Sequence, residues 1–317
     1  LSRAPCASSY RLRLARFQSM TRTRSSIRVG SPPARVGLEN RQAWLATPAL
    51  LWILLGLVVP LTAIVVFSFW TGSSIGMHSD LTTSNYANIL TSDTFWGTVR
   101  WTFRVLIIVL LSVTLLGLPV AYFTARVITV EWIRTGLMFL LFVPFLVSYI
   151  IRMITWIPLF GRAGIVNWTL TKIKVLDAPA DFLLYTSPSM ITALVFLYVA
   201  FMVGPVYFKL QQLDKDLIRA AQNLGASPMR TFLTVELPLI RPGIVIGWLF
   251  VSVMIMSDFA TERIVGGGLS PMLAGTVWRR AEVLLWPQAS AQAVTLVILT
   301  LALASGLIRF AQLDQDL

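Results

Sequence analysis

The sequence predicts an all-α membrane protein with six transmembrane helices and both ends on the cytoplasmic side. Three observations carry that expectation. The 317 residues are 56% hydrophobic and 13% charged, with a mean hydropathy of +0.75, whereas ordinary soluble domains carry about 25% charged residues. Charges are absent from six runs, 42–79, 105–125, 135–151, 182–208, 242–257 and 283–308; a bilayer core needs roughly 20 apolar residues at about 1.5 Å rise each, and every run reaches or approaches that length. With the N-terminus inside, the inside segments hold 17 Lys and Arg and the outside segments nine, the asymmetry that orients membrane proteins. The net charge of +12 is thus read as a topology signal and not as a nucleic-acid footprint, since no basic surface interleaved with aromatics is present.

Residues 1–43 contain nine Arg, no Lys and one acid, Glu39, and too few apolar residues for a core, so a disordered cytoplasmic tail is expected. Its Arg- and Ser-rich character resembles a transit peptide. Met20, followed by Thr-Arg-Thr-Arg, would make a start residue, and a misassigned upstream start is the plainer expectation. Residues 44–317 form the expected transmembrane domain, with an inside loop at 209–241. The first helix, 48–70, lacks a small-residue cleavage site and is retained, with Trp44 and Trp70 as interfacial anchors.

Helix 2 is expected over 105–125 with Gly117 and Pro119, helix 3 over 135–151 with Pro144, and helix 4 over 189–208 with Gly204 and Pro205. Helix 5 over 242–257 is short and Met-rich, and helix 6 covers 289–307. A proline inside a soluble helix costs about 3 kcal/mol, but membrane bundles tolerate it where neighbours receive the freed carbonyls. Repeated kinks suit a moving bundle, although Gly and Pro are in any case frequent in membrane helices. The outside segments 71–104, 152–188 and 258–282 are each below the roughly 50 residues of a small domain.

Several chemistries lack their residues. One cysteine, Cys6, and one histidine, His78, leave no disulfide framework, no metal cluster and no His-based catalysis. Gly266, Gly267 and Gly268 are followed by Leu-Ser-Pro, so no lysine-bearing phosphate loop exists. Neither a Gly-x-Ser-x-Gly elbow nor a His-Glu-x-x-His pair occurs. No catalytic residue and no cofactor is expected in this chain.

The loop between helices 4 and 5 is the most informative segment. Leu217, Ala220, Ala221 and Leu224 recur at helical spacing, Asp214 and Asp216 sit where a helix N-terminus favours negative charge, and Gly225 follows as a C-terminal cap. Ser227 offers a cap oxygen and Pro228 suits the first position of a second helix, which Leu237 and Pro238 are expected to stop. Two helices then meet at a sharp corner. From shape alone this is either a plain connector or a docking surface with the small-residue face Ala220, Ala221 and Gly225.

Ala220-Ala221, three residues, Gly225, nine residues, Val235, one residue and Leu237-Pro238 resembles the EAA loop of binding-protein-dependent ABC transporter permeases. The position that names the motif, usually Glu, is Arg219 here. Val143-Pro-Phe-Leu-Val-Ser-Tyr-Ile-Ile-Arg-Met-Ile-Thr-Trp156 with Gly161, and Ser257-Asp-Phe-Ala-Thr261 before the glycine run, are similar to the spermidine/putrescine branch; the resemblance covers roughly 45–315. It implies a type I importer fold in a bacterial inner membrane. It also implies a second permease subunit, a paralogue, a periplasmic solute-binding protein, and a cytoplasmic ATPase dimer that binds ATP and Mg. The ATPase would dock on Arg219, Ala220, Ala221, Gly225, Ser227, Pro228, Val235, Leu237 and Pro238, and the chain would not itself be an enzyme.

Ionisable groups at membrane depth cost about 2.5–3.5 kcal/mol and usually face the bundle or water. Asp258 and Arg152, at helix ends, either line a path or anchor at the interface, and Glu262 and Arg263 are expected to be solvated. A polyamine path would combine acids with aromatic faces, which makes Tyr149, Trp156 and Asp258 the candidates beside Arg152. The positive excess outside leaves an anionic or zwitterionic solute open. An ion-coupled carrier would show inverted repeats or interrupted helices in matching halves, which are not found, and a membrane enzyme lacks its catalytic clusters.

Overall fold

A computed structural model of the chain describes residues 38–73 and 76–313. The Arg-rich stretch before residue 38, including Met20 and Cys6, lies outside the described residues. The chain divides into two units, one up to Val59 and one from Pro60 onward. The first holds most of α1 (Leu38–Phe67). The second begins with the last turns of α1 and a two-stranded antiparallel hairpin, β1 (Thr71–Ser73) and β2 (Gly76–His78), in which Thr71 pairs with His78.

The helices of the second unit follow in order. α2 (Ser84–Leu90) leads into α3 (Asp93–Tyr122), which ends in a π turn, Phe123–Val127. α4 (Glu131–Phe142) passes through a 3-10 turn, Val143–Leu146, to the short α5 (Tyr149–Ile154), α6 (Trp156–Phe160) and α7 (Ile165–Lys172). α8 (Ser187–Gln212) is followed by α9 (Lys215–Asn223), α10 (Pro228–Thr231), a second π turn, Phe232–Glu236, and α11 (Leu237–Ser257). α12 (Ala260–Ile264), α13 (Leu273–Glu282) and α14 (Trp286–Leu313) complete the chain.

Among the described residues six segments are long and apolar enough to cross a membrane: Leu50–Phe67, Asp93–Val127, Tyr149–Lys172, Ser187–Gln212, Pro228–Ser257 and Trp286–Phe310. Five overlap the expected helices: Leu50–Phe67 falls within 48–70, and the other four extend beyond 105–125, 189–208, 242–257 and 289–307, most of all Asp93–Val127 and Pro228–Ser257, which continue past the flanking charges. The third differs. The expected rod 135–151 is cut where Pro144 sits in a 3-10 turn and Val147 turns extended (ψ 142°) before Tyr149 starts a new helix. Proline lacks the N–H that would continue the ladder and crowds the preceding turn, which is why the break falls there. The apolar stretch then continues through α5 to α7, itself bent at Gly161 and Gly164.

α8 is the centre of the second unit and packs along both α3 and α11. Its Leu194, Met202, Val203 and Val206 are fully buried against Val105, Val109 and Val113 of α3 and Val251 and Ile255 of α11. Thr186 starts α8 with a reciprocal cap: its hydroxyl accepts from the Ser189 N–H, and Ser189 Oγ accepts from the Thr186 N–H. Between helices in lipid there is no hydrophobic drive, so close approach and interhelical hydrogen bonds hold them. The Trp248 indole donates to Thr114 Oγ1 at 2.8 Å, tying α11 to α3. A Cβ at Gly247 would lie 2.5 Å from Met202 Sδ and 3.2 Å from Met202 Cα, so α8 and α11 touch backbone to backbone only because this residue is glycine.

Within the segment 152–188, one buried amide ties α7 to its flanking turns. Asn167 donates to the Gly161 and Ala180 carbonyls at 2.9 and 3.1 Å and accepts from the Ala180 N–H at 2.7 Å. Gly247→Val is expected to force α8 and α11 apart and cost about 1–3 kcal/mol, read as a lowered Tm in detergent. Gly136→Val, where nothing lies within 4 Å, leaves Tm unchanged.

Candidate functional site

The corner between α8 and α11 is built by local sequence chemistry. Asp214 caps α9, its carboxylate accepting from the Asp216 N–H at 2.9 Å. α9 then closes in a paired turn: the Gly225 N–H donates to the Gln222 carbonyl at 2.9 Å and the Ala226 N–H to the Ala221 carbonyl at 3.1 Å. This closure needs a left-handed residue, and Gly225 has φ +85°. Ser227 Oγ accepts from the Arg230 N–H at 3.3 Å and Pro228 occupies the first turn.

One expectation fails here. Leu237 and Pro238 do not stop the second helix; residues from Pro228 to Ser257 form one helical rod that runs into the membrane. The π turn is the reason. The Leu237 N–H bonds Phe232 O, five residues back, so the α register ends just before Pro238. The proline then sits in the first turn of α11, where its missing N–H conflicts with nothing. Of the predicted docking residues, Arg219, Ala220, Gly225, Ser227 and Pro228 are exposed, and Ala221, Val235, Leu237 and Pro238 are half-buried in the corner or the root of the rod. Leu224, 90% exposed, with Leu217 and Met229, adds an apolar rim to the corner.

Sequence reasoning missed the interaction that secures the rod. Glu236, 3% exposed in the second π turn, accepts from Arg126 Nε of the first π turn at 3.3 Å. Beside them Tyr122 meets Phe232 edge to face at 5.3 Å. The only signal in the sequence is that an apolar run ends on Arg126 and the rod's root carries Glu236; neither position says that the two meet. Arg126 Nη2 and Thr231 Oγ1 are buried without a partner. They border a cavity of about 260 Å³ that Lys215, Ile218, Arg219 and Gln222 of α9 also line. Arg219 pairs only with Asp216, at 3.1 Å in the open, an arrangement worth little.

The four path candidates do not share one site. Arg152 and Trp156 line a mostly apolar cavity of about 550 Å³ between α3, α4 and α8, with Thr124 and Thr155. The Arg152 guanidinium lies 4.5 Å from the Phe145 ring and donates to the Val147 carbonyl at 2.9 Å. Asp258 and Tyr149 instead belong to a buried network. Asp258 Oδ2 accepts from the Tyr198 hydroxyl at 2.8 Å and the Thr261 hydroxyl at 2.7 Å, and Oδ1 accepts from the Thr261 N–H at 3.0 Å. Tyr149 and Thr261 hydroxyls are 3.1 Å apart.

Glu262 is not solvated, contrary to expectation. It is 1% exposed and accepts from the Met272 N–H at 3.0 Å and from Arg279 at 3.1 Å. Burial raises its carboxyl above the ordinary range, opposed by those two donors. Arg263 pairs with Glu282 at 2.5 Å at the surface. Among the described residues no His, Cys, Asp and Glu group could hold a metal ion.

Six apolar segments among the described residues, a capped corner and a rod that runs on from it define a multi-span helical membrane protein. Comparison with known proteins gives the family: residues 114–313 match the binding-protein-dependent transport system inner membrane component, and the chain belongs to that family. It is 32% identical over 249 residues to the spermidine/putrescine transport system permease protein PotB of Salmonella typhimurium (strain SL1344), covering 78% of this chain and 85% of that protein. PotB of Escherichia coli (strain K12) is 30% identical, with 78% and 89% covered. The crystal structure of a bacterial ABC transporter involved in the import of the acidic polysaccharide alginate matches with a TM-score of 0.71 at 16% identity, over 88% of this chain and 98% of that one. The chain thus has the fold of an ABC importer permease and is a multi-pass inner membrane protein by family.

Removing one member of a buried ion pair strands the other. Arg126 keeps 16% side-chain exposure, so Glu236→Ala is expected to cost about 1–3 kcal/mol, seen as a fall in Tm in detergent, and Arg126→Met with Glu236→Leu together recovers most of the loss.

Proposed function

We propose that this chain is one permease subunit of a polyamine importer. A periplasmic binding protein delivers spermidine or putrescine, a second, paralogous permease subunit completes the pathway, and a cytoplasmic ATPase dimer that holds ATP and Mg drives alternation. The carrying observation is the corner at 214–238. It presents exposed Arg219, Ala220, Gly225, Ser227 and Pro228 on a left-handed closure and continues without interruption into α11. A force at the corner therefore enters the membrane through a rigid rod. The inside placement of the corner rests on the 17-to-9 distribution of Lys and Arg, and the polyamine rests on the names of the PotB relatives.

No bond is made or broken by this chain in that cycle. The ATPase does the chemistry, and differential contacts at the corner convert it into a shift between two conformations of the bundle. A second reading has one observation in its favour. Among the described residues Arg152 is the single charged one lining the 550 Å³ cavity, and Asp258 is already bonded by Tyr198 and Thr261, which suits an anionic solute better than a polycation.

The full transporter in proteoliposomes, with its binding protein, separates these readings. Spermidine or putrescine is expected to stimulate ATP hydrolysis while small organic anions do not; the reverse pattern establishes the anionic reading. Gly225→Trp is expected to abolish the stimulation because tryptophan at φ +85° opens the corner. Stimulation that survives this substitution removes the coupling role.

A further inference from the structure

The cavity beneath the corner is polar, cationic and incompletely bonded. Lys215 and Arg219 of α9 and Arg126 of the first π turn supply three positive charges to its lining, against one acid, Glu236. That acid is already committed to Arg126 Nε. Arg126 Nη2 and Thr231 Oγ1 are buried with no hydrogen-bond partner, and both residues line the cavity. An unpaired buried donor costs roughly 1–3 kcal/mol, and more when it is charged, so the site gains if an acceptor enters. A carboxylate is the acceptor that a guanidinium binds best, through charge-assisted and often bidentate bonds.

What surrounds the cavity identifies the carrier of that acceptor. Leu217, Leu224 and Met229 are left exposed on the same corner, and exposed apolar side chains grouped beside polar ones mark a protein-interaction surface. Arg219 is held only by the exposed Asp216, so it can turn from Asp216 to an incoming acid at small cost. We infer that the cavity lined by Arg126, Lys215 and Arg219 receives an Asp or Glu side chain of the partner ATPase. This rests on the proposed docking of an ATPase at the corner, and it adds the sign and chemistry of the contact. The acid lies on the ATPase and its three cations on the permease.

The test is association of the ATPase with the assembled permease in nanodiscs, titrated at several salt concentrations. Arg219→Glu is expected to weaken binding about tenfold at low salt and to flatten its salt dependence. Lys215→Glu acts in the same direction, whereas Arg219→Lys stays within about twofold of the parent. Arg230→Glu, exposed on α10 and outside the lining, leaves binding unchanged. An Asp or Glu to Lys substitution on the ATPase that restores binding to the Arg219→Glu permease identifies the occupant. Unchanged binding with Arg219→Glu, while Gly225→Trp abolishes it, overturns the carboxylate and leaves the docking in place. Full binding with Gly225→Trp overturns both. Inorganic phosphate that binds the permease alone, and is lost with Arg219→Glu while ATPase binding persists, makes the occupant a free anion and also overturns it.

Discussion

The close approach of α8 to α3 and α11 is the constraint on which the second unit depends. In lipid the three helices gain nothing from excluding water, so their association is a sum of dispersion contacts of about 0.1–0.2 kcal/mol per atom pair and a few interhelical hydrogen bonds. Gly247 against Met202 and Trp248 against Thr114 are where that sum is concentrated. With α8 held between its neighbours, the end of α3 and the root of α11 lie side by side, and the rest of the corner is built on that juxtaposition.

Both of those helices carry a π turn at that level, Phe123–Val127 in one and Phe232–Glu236 in the other. A π turn adds a residue to the helical repeat and re-aims the side chains within it, and such bulges frequently sit at functional sites. Here the re-aimed residues are Arg126 and Glu236, which meet as a buried pair. A buried pair is weak evidence for net stability, since two charges lose their water to form it, but it fixes register strongly because neither partner tolerates the absence of the other. The corner, the rod and the end of α3 are thereby made one mechanical piece.

At the far end of α11 the chemistry is different. Asp258, Tyr198, Thr261 and Tyr149 form a closed network, and Glu262 is bonded to Met272 and Arg279. These acids organise the segment after α11 and have little capacity left for a solute. The wide cavity lies instead against the broken third segment, where the 3-10 turn at Val143–Leu146 places Phe145 beneath Arg152. A break in a membrane helix is tolerated where it lines a cavity, and this one does.

Much of this was legible without coordinates. Charge-free runs located the membrane segments, because burying a charge in lipid is costly wherever it falls in the chain, and the cap chemistry of Asp214, Gly225, Ser227 and Pro228 located the corner, because caps are local. What sequence alone misjudged was non-local. Pro238 reads as a stop, yet the π turn before it absorbs the missing N–H; Glu262 reads as a solvated acid, yet Met272 and Arg279 reach it from elsewhere in the chain. Arg126 and Glu236 are 110 residues apart, and nothing in either neighbourhood names the other. Sequence by itself therefore determined the class, five of the six spans and the caps that shape the corner, all set by local composition and backbone preference. Only the tertiary structure decided which charges are paired, which are spent and which still face an open socket, because those outcomes depend on where packed helices bring distant residues together.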